Sequence, residues 1–267
     1  MTRASDVANI LKQPFTNTLG TSNYRAGVNA GDSVASGGNY NVLIGDDAGT
    51  ALTTGDNNIA IGFEALKTED AHGYNTAIGY RALKTQDAGA EGYNTAIGAD
   101  AGVAVTTGTT NAFVGAYAGE AMTTGGSSTA VGYESLHASQ DGAGNSAVGY
   151  RAGFSLTSGA RNIGIGEQSL RGATTGNDNI GMGYQSFFAT CTGSSNVGLG
   201  YRSFFSATSG HSNVGVGYQS FNDLTSGNQN VAIGHRALPH VSTGTNHTGI
   251  GIGVGDGENG TAITGGA

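Results

Sequence analysis

Tryptophan is absent from this chain of 267 residues, proline occurs only twice and cysteine once. The shortage of proline excludes a collagen triple helix, which needs abundant proline as well as glycine at every third residue. The single cysteine, Cys191, excludes an intramolecular disulfide, so folding needs no oxidising compartment. Only 11% of the residues are charged and 37% are hydrophobic, a composition that does not fit a disordered chain.

Positive charge is also scarce, since 11 lysines and arginines face 19 acidic residues and the net charge is -8. A nucleic-acid partner is therefore not expected, because phosphate binding needs a basic patch. The first residues, MTRASDVANILKQPF, contain no apolar run typical of a signal peptide. No stretch approaches the roughly 18 apolar residues of a membrane helix. We expect a chain made in the cytoplasm, with no membrane insertion.

The most abundant residue, glycine, occurs 49 times and marks an internal repeat. A segment of the form Asn-x-Ala-Ile-Gly-x-x-Ala-Leu, followed by a turn ending in Thr-Gly or Ser-Gly, recurs at a spacing of 17 residues in eleven of twelve intervals. The interval from 75 to 94 is 19 residues, with two extra residues in the turn 86–93, and a degenerate copy begins at Asn23. The repeats open at Asn41, Asn58, Asn75, Asn94, Asn111, Ser128, Asn145, Asn162, Asn179, Asn196, Asn213, Asn230 and His247.

Each position of the repeat has its own chemistry. Position five is always glycine, which indicates a corner with positive φ or a place where another backbone comes close. The apolar residues at positions two and four follow the period of a β-strand, and we expect position four to form the core. The corner glycines are Gly45, Gly62, Gly79, Gly98, Gly115, Gly132, Gly149, Gly166, Gly183, Gly200, Gly217, Gly234 and Gly251. The predicted core residues are Ile44, Ile61, Ile78, Ile97, Val114, Val131, Val148, Ile165, Met182, Leu199, Val216 and Ile233.

These units predict an all-β fold, a parallel β-solenoid or β-roll of about 13 coils. Helix is disfavoured because a glycine in every unit costs about 1 kcal/mol each time. Each coil is expected to hold a short strand, the glycine corner, a second short strand and a Thr/Ser-Gly turn. Coils stacked about 4.8 Å apart bury the apolar face that one unit cannot bury alone, and form a rod about 60 Å long. The asparagines of position one are expected to form a ladder along the axis.

The face of the strand opposite positions two and four carries mostly small residues, with Leu43 and Phe113 at position three as exceptions. Alanine or glycine at position three and glycine at position five make this face smooth, which suits close packing against another chain. Identical chains normally close into a symmetric oligomer. The periodicity predicts self-association but leaves open whether two or three copies take part.

The units NTAIGYRAL (75–83), NTAIGADAG (94–102) and NVAIGHRAL (230–238) resemble the repeats of trimeric autotransporter adhesin heads, and equally those of bacteriophage tail-fibre and head-fibre proteins. The resemblance covers about 230 residues and implies three parallel β-rolls around a shared axis, a homotrimer. The chain departs from the adhesins in its longer unit and in lacking their stalk, outer-membrane anchor and signal peptide. The resemblance therefore favours a phage fibre.

A fibre of this kind is a structural protein of the virion, exposed on the outside of the particle and contributing to host-cell attachment. Residues 1–22 form the predicted virion-attachment segment, with a short helix over 6–12, and would contact other virion proteins. Residues 23–255 form the shaft and 256–267 a C-terminal cap or tail. A host-surface glycan or protein is the expected outer partner. The alternatives are the head domain of a bacterial adhesin and an ice-binding solenoid that uses the paired threonines of the turns.

Tyrosine recurs at position six of the repeat, and arginine or glutamine follows at position seven. Such a stripe can stack on the sugar rings of a ligand, although we favour a structural ladder of stacked rings. The candidate ligand stripe comprises Tyr80, Arg81, Tyr150, Arg151, Tyr201 and Arg202.

Motifs for catalysis are missing from the sequence. There is no Ser/His/Asp set, paired-carboxylate cleft or phosphate loop, and the glycines follow the structural period, so a G-x-G match carries no information. We predict a non-enzymatic protein without a cofactor. His247 replaces the asparagine of position one and is the weak metal candidate, because three copies would form a ring if this position faced a three-fold axis. Cys191 takes a turn position that threonine or serine fills elsewhere.

Overall fold

A computed structural model describes residues 20–255 and 263–264 of the chain. The predicted helix over 6–12, most of the attachment segment 1–22 and most of the tail 256–267 lie outside the described residues. Over the described ranges the backbone forms no helix, and therefore none that could cross a membrane. The all-β prediction is confirmed.

A single sheet runs through the described part of the chain, with its fifteen strands in chain order. Strands β1 to β14 are parallel, and β15 pairs antiparallel with β14. Consecutive strands pair in register, so that Ile180 lies opposite Val197 and Met182 opposite Leu199. The result is a β-solenoid, as predicted. The strands are β1 (Tyr24–Ala26), β2 (Val42–Ile44), β3 (Ile59–Ile61), β4 (Thr76–Ile78), β5 (Thr95–Ile97), β6 (Ala112–Val114), β7 (Thr129–Val131), β8 (Ser146–Val148), β9 (Ile163–Ile165), β10 (Ile180–Met182), β11 (Val197–Leu199), β12 (Val214–Val216), β13 (Val231–Ile233), β14 (His247–Ile250) and β15 (Ile263–Thr264).

Strands β2 to β13 each consist of positions two to four of one repeat, and their middle residue faces inward. Ala60, Ala77 and Phe113 at position three are fully buried. Alternation along a strand then turns positions two and four outward. The prediction that position four forms the core is wrong: Ile97 is 40% exposed and Ile165 is 43% exposed. The residues concerned are Ile44, Ile61, Ile78, Ile97, Val114, Val131, Val148, Ile165, Met182, Leu199, Val216 and Ile233, none of which is buried.

The narrow interior of the coil explains this reversal. Position three shares the interior with large residues of positions nine and twelve, such as Leu66 and Leu52, which are fully buried. Where position nine is largest, position three has no side chain: a Cβ added to Gly198 would lie 2.6 Å from the Phe187 ring. Large aliphatic side chains at position four have no room inside and lie on the outer surface. Position four looks like a core position in the sequence only because it is apolar.

The glycine corners at position five follow directly after the strand. Their φ angles lie between 122° and 144°, a region that residues with a Cβ rarely adopt. Successive corners also stack backbone on backbone, since a Cβ on Gly62 would lie 2.3 Å from the carbonyl oxygen of Gly79. Both the φ angle and the stacking demand glycine at this position.

After the corner the chain forms turns instead of the predicted second strand, which is wrong for the described residues apart from isolated bridges such as Ala173 to Cys191. Residues of positions seven and nine, such as Arg202 (φ 50°) and Phe204 (φ 53°), have left-handed backbone conformations and interrupt an extended chain. Hydrogen bonds between coils nevertheless continue, for example from the amide of Leu66 to the carbonyl of Ala82 at 3.0 Å.

The asparagines of position one form the expected ladder inside the coil. The Asn58 amide N–H donates to Oδ1 of Asn41 at 2.8 Å, and the Asn75 amide donates to Oδ1 of Asn58 at 3.1 Å. The side-chain amide of Asn41 donates to the carbonyl of Gly55 in the turn of its own coil, at 2.8 Å. Asn41 thereby joins its own turn to the next coil, which matters because an unpaired buried amide costs about 1–3 kcal/mol.

Candidate functional site

The outer face of the sheet is a continuous feature of the described surface. Position two of each strand is half-buried, and position four is half-buried or exposed. From β2 to β14 the two columns contain no aspartate, glutamate, lysine or arginine. His247, at position one of its repeat, lies outside both columns. Position two comprises Val42, Ile59, Thr76, Thr95, Ala112, Thr129, Ser146, Ile163, Ile180, Val197, Val214, Val231 and Thr248.

An uncovered apolar face of this kind is unusual for a parallel sheet, since parallel sheets normally have both faces covered. Strands of three residues span about 10 Å, and the thirteen strands from β2 to β14, about 4.8 Å apart, span about 60 Å, so the face measures on the order of 600 Å². A standard protein–protein interface buries about 800 Å² on each partner. Exposed apolar patches of this size mark interaction surfaces. We call these columns of positions two and four the aliphatic face.

The predicted tyrosine stripe lies beside the aliphatic face, immediately after the corner glycine. The rings are partly exposed and stack on one another, with centroids 5.3 Å apart for Tyr184 and Tyr201 and 5.0 Å apart for Tyr201 and Tyr218. His235 continues the stack at 4.9 Å from Tyr218. Face-to-face stacking covers the ring faces that a sugar would need. The geometry supports the structural ladder more than the ligand stripe.

The arginines of the stripe are engaged within the chain. Arg81 lies over the Tyr80 ring at 5.3 Å and pairs with Asp100 at 2.8 Å. Arg202 lies over Tyr201 at 5.3 Å and donates to the side-chain carbonyl of Gln185.

The middle of the stripe repeats the same arrangement. Arg151 contacts the Tyr150 ring at 5.2 Å and pairs with Glu134 of the preceding coil. Each of the three predicted arginines therefore pairs with a side chain of a neighbouring coil.

The threonine pairs of the turns divide into two classes. At position thirteen the hydroxyls of Thr53, Thr157 and Thr208 donate to backbone carbonyls of the next coil at 2.9, 3.1 and 2.9 Å. These hydroxyls are used within the stack, whereas position fourteen, as at Thr54 and Thr107, is exposed. Only one of the two threonine columns is therefore free to face water or ice.

The remaining sequence candidates have structural surroundings. The side chain at position one points into the coil, so the geometry does not support a ring of three His247 side chains between copies. The backbone amide of His247 donates to Oδ1 of Asn230 at 2.8 Å. Cys191 is buried and free, and burial raises the pKa of its thiol. It occupies the interior beside Ala173 rather than an outward turn position.

The repeat pattern of the sequence did not predict one cluster of metal-ligating side chains. Glu69, Asp70, His72 and Asp87 each offer one ligand atom, and these four atoms lie within 4.8 Å of one another. No cluster of this kind includes His247 among the described residues. The sequence feature that could have indicated this cluster is Glu69, because it is an acidic residue at position twelve and that position is apolar in most other coils.

A scan of protein-family models, a search of curated proteins and a search of solved structures each found no match. The features from which a function can be inferred are therefore the aliphatic face, the tyrosine ladder and the acidic cluster.

Proposed function

We propose that this chain is the shaft of a structural fibre on a virus particle and that it self-associates through the aliphatic face. The observation that carries the proposal is the uncovered apolar sheet running from β2 to β14, exemplified by Val148 at 39% and Ile165 at 43% exposure. A lone rod would hold this face in water. A second and third copy placed along it would cover it over the whole length of the shaft.

The face that mediates association is the reverse of the one expected from the sequence. Alanine and glycine at position three pack inside the coil, so the smooth small-residue face is not available to a partner. The larger, mostly aliphatic residues of positions two and four are available instead. Their in-register columns suit a symmetric interface, because each coil presents the same contact as its neighbours.

The number of copies and the viral setting rest on the resemblance of the repeats. The units beginning at Asn75, Asn94 and Asn230 resemble those of trimeric adhesin heads and phage fibres, and both groups favour three copies. We expect a non-enzymatic homotrimer on the outside of the virion, joined to other virion proteins through residues 1–22 and reaching a glycan or protein of the host surface. A bacterial adhesin head is the second candidate, and the same interface serves both.

Self-association is tested by the mass of the purified chain in solution, measured by light scattering and sedimentation. We expect the mass of three chains for the unmodified protein. The double variant Val148→Glu/Ile165→Glu places two charges on the aliphatic face and should give the single-chain mass of 26.5 kDa with an unchanged β-type circular dichroism spectrum.

A matched control places the same charges elsewhere. Ser158 and Thr175 are exposed on the turn side of neighbouring coils, and Ser158→Glu/Thr175→Glu should leave the oligomer intact. A monomeric unmodified chain contradicts the proposed interface. Labelling the chain on isolated particles with an antibody, followed by electron microscopy, tests the viral setting separately, and absence of label from particles contradicts it.

A further inference from the structure

The single 19-residue interval of the repeat coincides with a break in the apolar interior. Glu69 and Gln86 stack at position twelve of consecutive coils, between the buried Leu52 and Val105 of the coils on either side. Both polar side chains are completely buried. The extra residues of the turn 86–93 follow immediately. Two adjacent coils therefore carry polar groups at the position where their neighbours have aliphatic side chains.

Buried polar atoms without hydrogen-bond partners are concentrated here. Three of the seven such side-chain atoms among the described residues are Glu69 Oε2, Asn75 Nδ2 and Gln86 Nε2. In a regular coil the asparagine side chain donates to a glycine carbonyl fourteen residues later, as Asn94 does to Gly108 at 2.8 Å. The longer turn displaces that partner from Asn75. Unpartnered buried groups of this kind call for an explanation, of which a bound ion is one.

The Glu69 carboxylate is the strongest of these signals. Its Oε1 accepts the backbone N–H of His72 at 3.1 Å and lies 3.2 Å from Nδ1 of the same histidine. Its Oε2 has no partner, and the side chain is 0% exposed. An ionised carboxylate in this place needs a compensating positive charge.

Among the described residues, no lysine or arginine forms an ion pair with Glu69. Lys67 and Lys84 are near in sequence, but both pair with Glu64, at 2.7 and 2.6 Å. Asp70 and Asp87 instead add two further carboxylates at position thirteen of consecutive coils. Like charges that face each other on adjacent segments of the chain repel. The cluster thus combines three acidic groups and one imidazole within 4.8 Å.

We propose that Glu69, Asp70, His72 and Asp87 bind one divalent transition-metal ion of the Zn²⁺ or Mn²⁺ type. Carboxylate oxygens combined with a neutral imidazole nitrogen suit these ions, whereas Ca²⁺ prefers oxygen ligands alone. The buried Glu69 forms the floor of the site, and the partly exposed His72 and the exposed aspartates form its outer side. The ion ties two coils together where the longer turn weakens the stack. This site is independent of the proposed fibre function.

The test uses the full-length chain, without a histidine tag, after treatment with EDTA and dialysis. Zn²⁺, Mn²⁺ and Ca²⁺ are offered separately, and bound metal is measured by calorimetric titration and elemental analysis. We expect one Zn²⁺ or Mn²⁺ per chain and a rise in melting temperature on binding. Ca²⁺ should bind more weakly.

The decisive variant is Glu69→Leu, because Leu52 and Leu156 already fill position twelve of regular coils and the variant is expected to fold. It should lose stoichiometric uptake of the ion and the rise in melting temperature. His72→Ala should weaken uptake without changing the metal-free melting temperature greatly. Asp141→Asn, which removes an exposed carboxylate from another turn, is the matched control and should bind as the unmodified chain does.

Two results would overturn the site. One is a chain that takes up neither Zn²⁺ nor Mn²⁺, which would leave buried water as the partner of Glu69. The other is unchanged uptake by both Glu69→Leu and His72→Ala, which would place any binding elsewhere on the chain. Uptake of Ca²⁺ alone overturns the assigned class of ion.

Discussion

The Phe113 ring occupies the space that Gly119 leaves: a Cβ added to Gly119 would lie 2.6 Å from Cε1 of Phe113. Elsewhere the sizes are exchanged, since Ala60 at position three accompanies Leu66 at position nine. The two positions of a coil share one interior volume. Close packing of such an interior makes their sizes interdependent.

This size exchange predicts non-additive substitutions. Phe113→Ala alone should lower the free energy of unfolding by about 3–5 kcal/mol, because it leaves a cavity. Gly119→Leu alone should be at least as harmful, because the new side chain overlaps the ring. The double variant restores the pattern of the Ala60 coil and should be less destabilised than the sum of the two. Thermal unfolding measures all three, and additive effects would contradict the shared volume.

The asparagine ladder predicts a graded response at position one. Oδ1 of Asn179 accepts the Asn196 amide at 3.1 Å, and its side-chain amide donates to the Gly193 carbonyl at 2.9 Å. Asn179→Ala leaves both partners without a hydrogen bond and should lower the free energy of unfolding by about 1–3 kcal/mol. Asn179→Ser should cost less, because Ser128 already accepts the next coil's amide in this way, at 3.2 Å. Equal losses in denaturant unfolding would argue against the ladder as the cause.

The left-handed positions predict opposite effects for two serines of one coil. Ser212 has a φ of 58°, so Ser212→Gly removes strain and should raise the unfolding free energy by up to about 1 kcal/mol. Ser209, also exposed, is not among the positive-φ residues. Ser209→Gly only adds freedom to the unfolded chain and should lower stability by about 0.5–1 kcal/mol. Melting temperatures that shift in the same direction would rule out strain relief.

The lysine pair around Glu64 predicts a stability term that depends on pH. Hydrogen bonds from Lys67, which has the larger effect, and from Lys84 lower the pKa of the Glu64 carboxyl. Because the folded pKa lies below the unfolded one, this stabilisation is present above the unfolded value near 4.3 and is lost as the pH falls through the folded value. Glu64→Gln should therefore melt at a lower temperature than the unmodified chain near pH 7, and the difference should shrink as the pH falls below the unfolded value. A difference that persists in acid would assign the effect to packing.

Several features follow from the sequence alone. The repeat of Asn41, Asn58 and later residues predicts stacked coils, because identical short units bury apolar surface only against one another. Glycine at every position five predicts the corner, and the asparagines predict the ladder. These features are local or strictly periodic, so their spacing carries the information.

The cluster around Glu69 could be found only in part. An acidic residue at position twelve and the longer interval after Asn75 are both visible in the sequence. The approach of His72 and Asp87 to Glu69 depends on how the turns of two coils lie over each other. Sequence spacing does not give that geometry.

Thirteen copies of one pattern leave few ways to bury their apolar residues, so the β-solenoid with its glycine corners follows from the repeat. Which side of the strand is inside depends on how the folded coil packs. A three-residue strand alternates equally well in either sense, and the choice depends on the volume left by residues such as Leu66 and Phe204 across the coil. That volume turns Ile97 and Ile165 outward and gives the rod its aliphatic face.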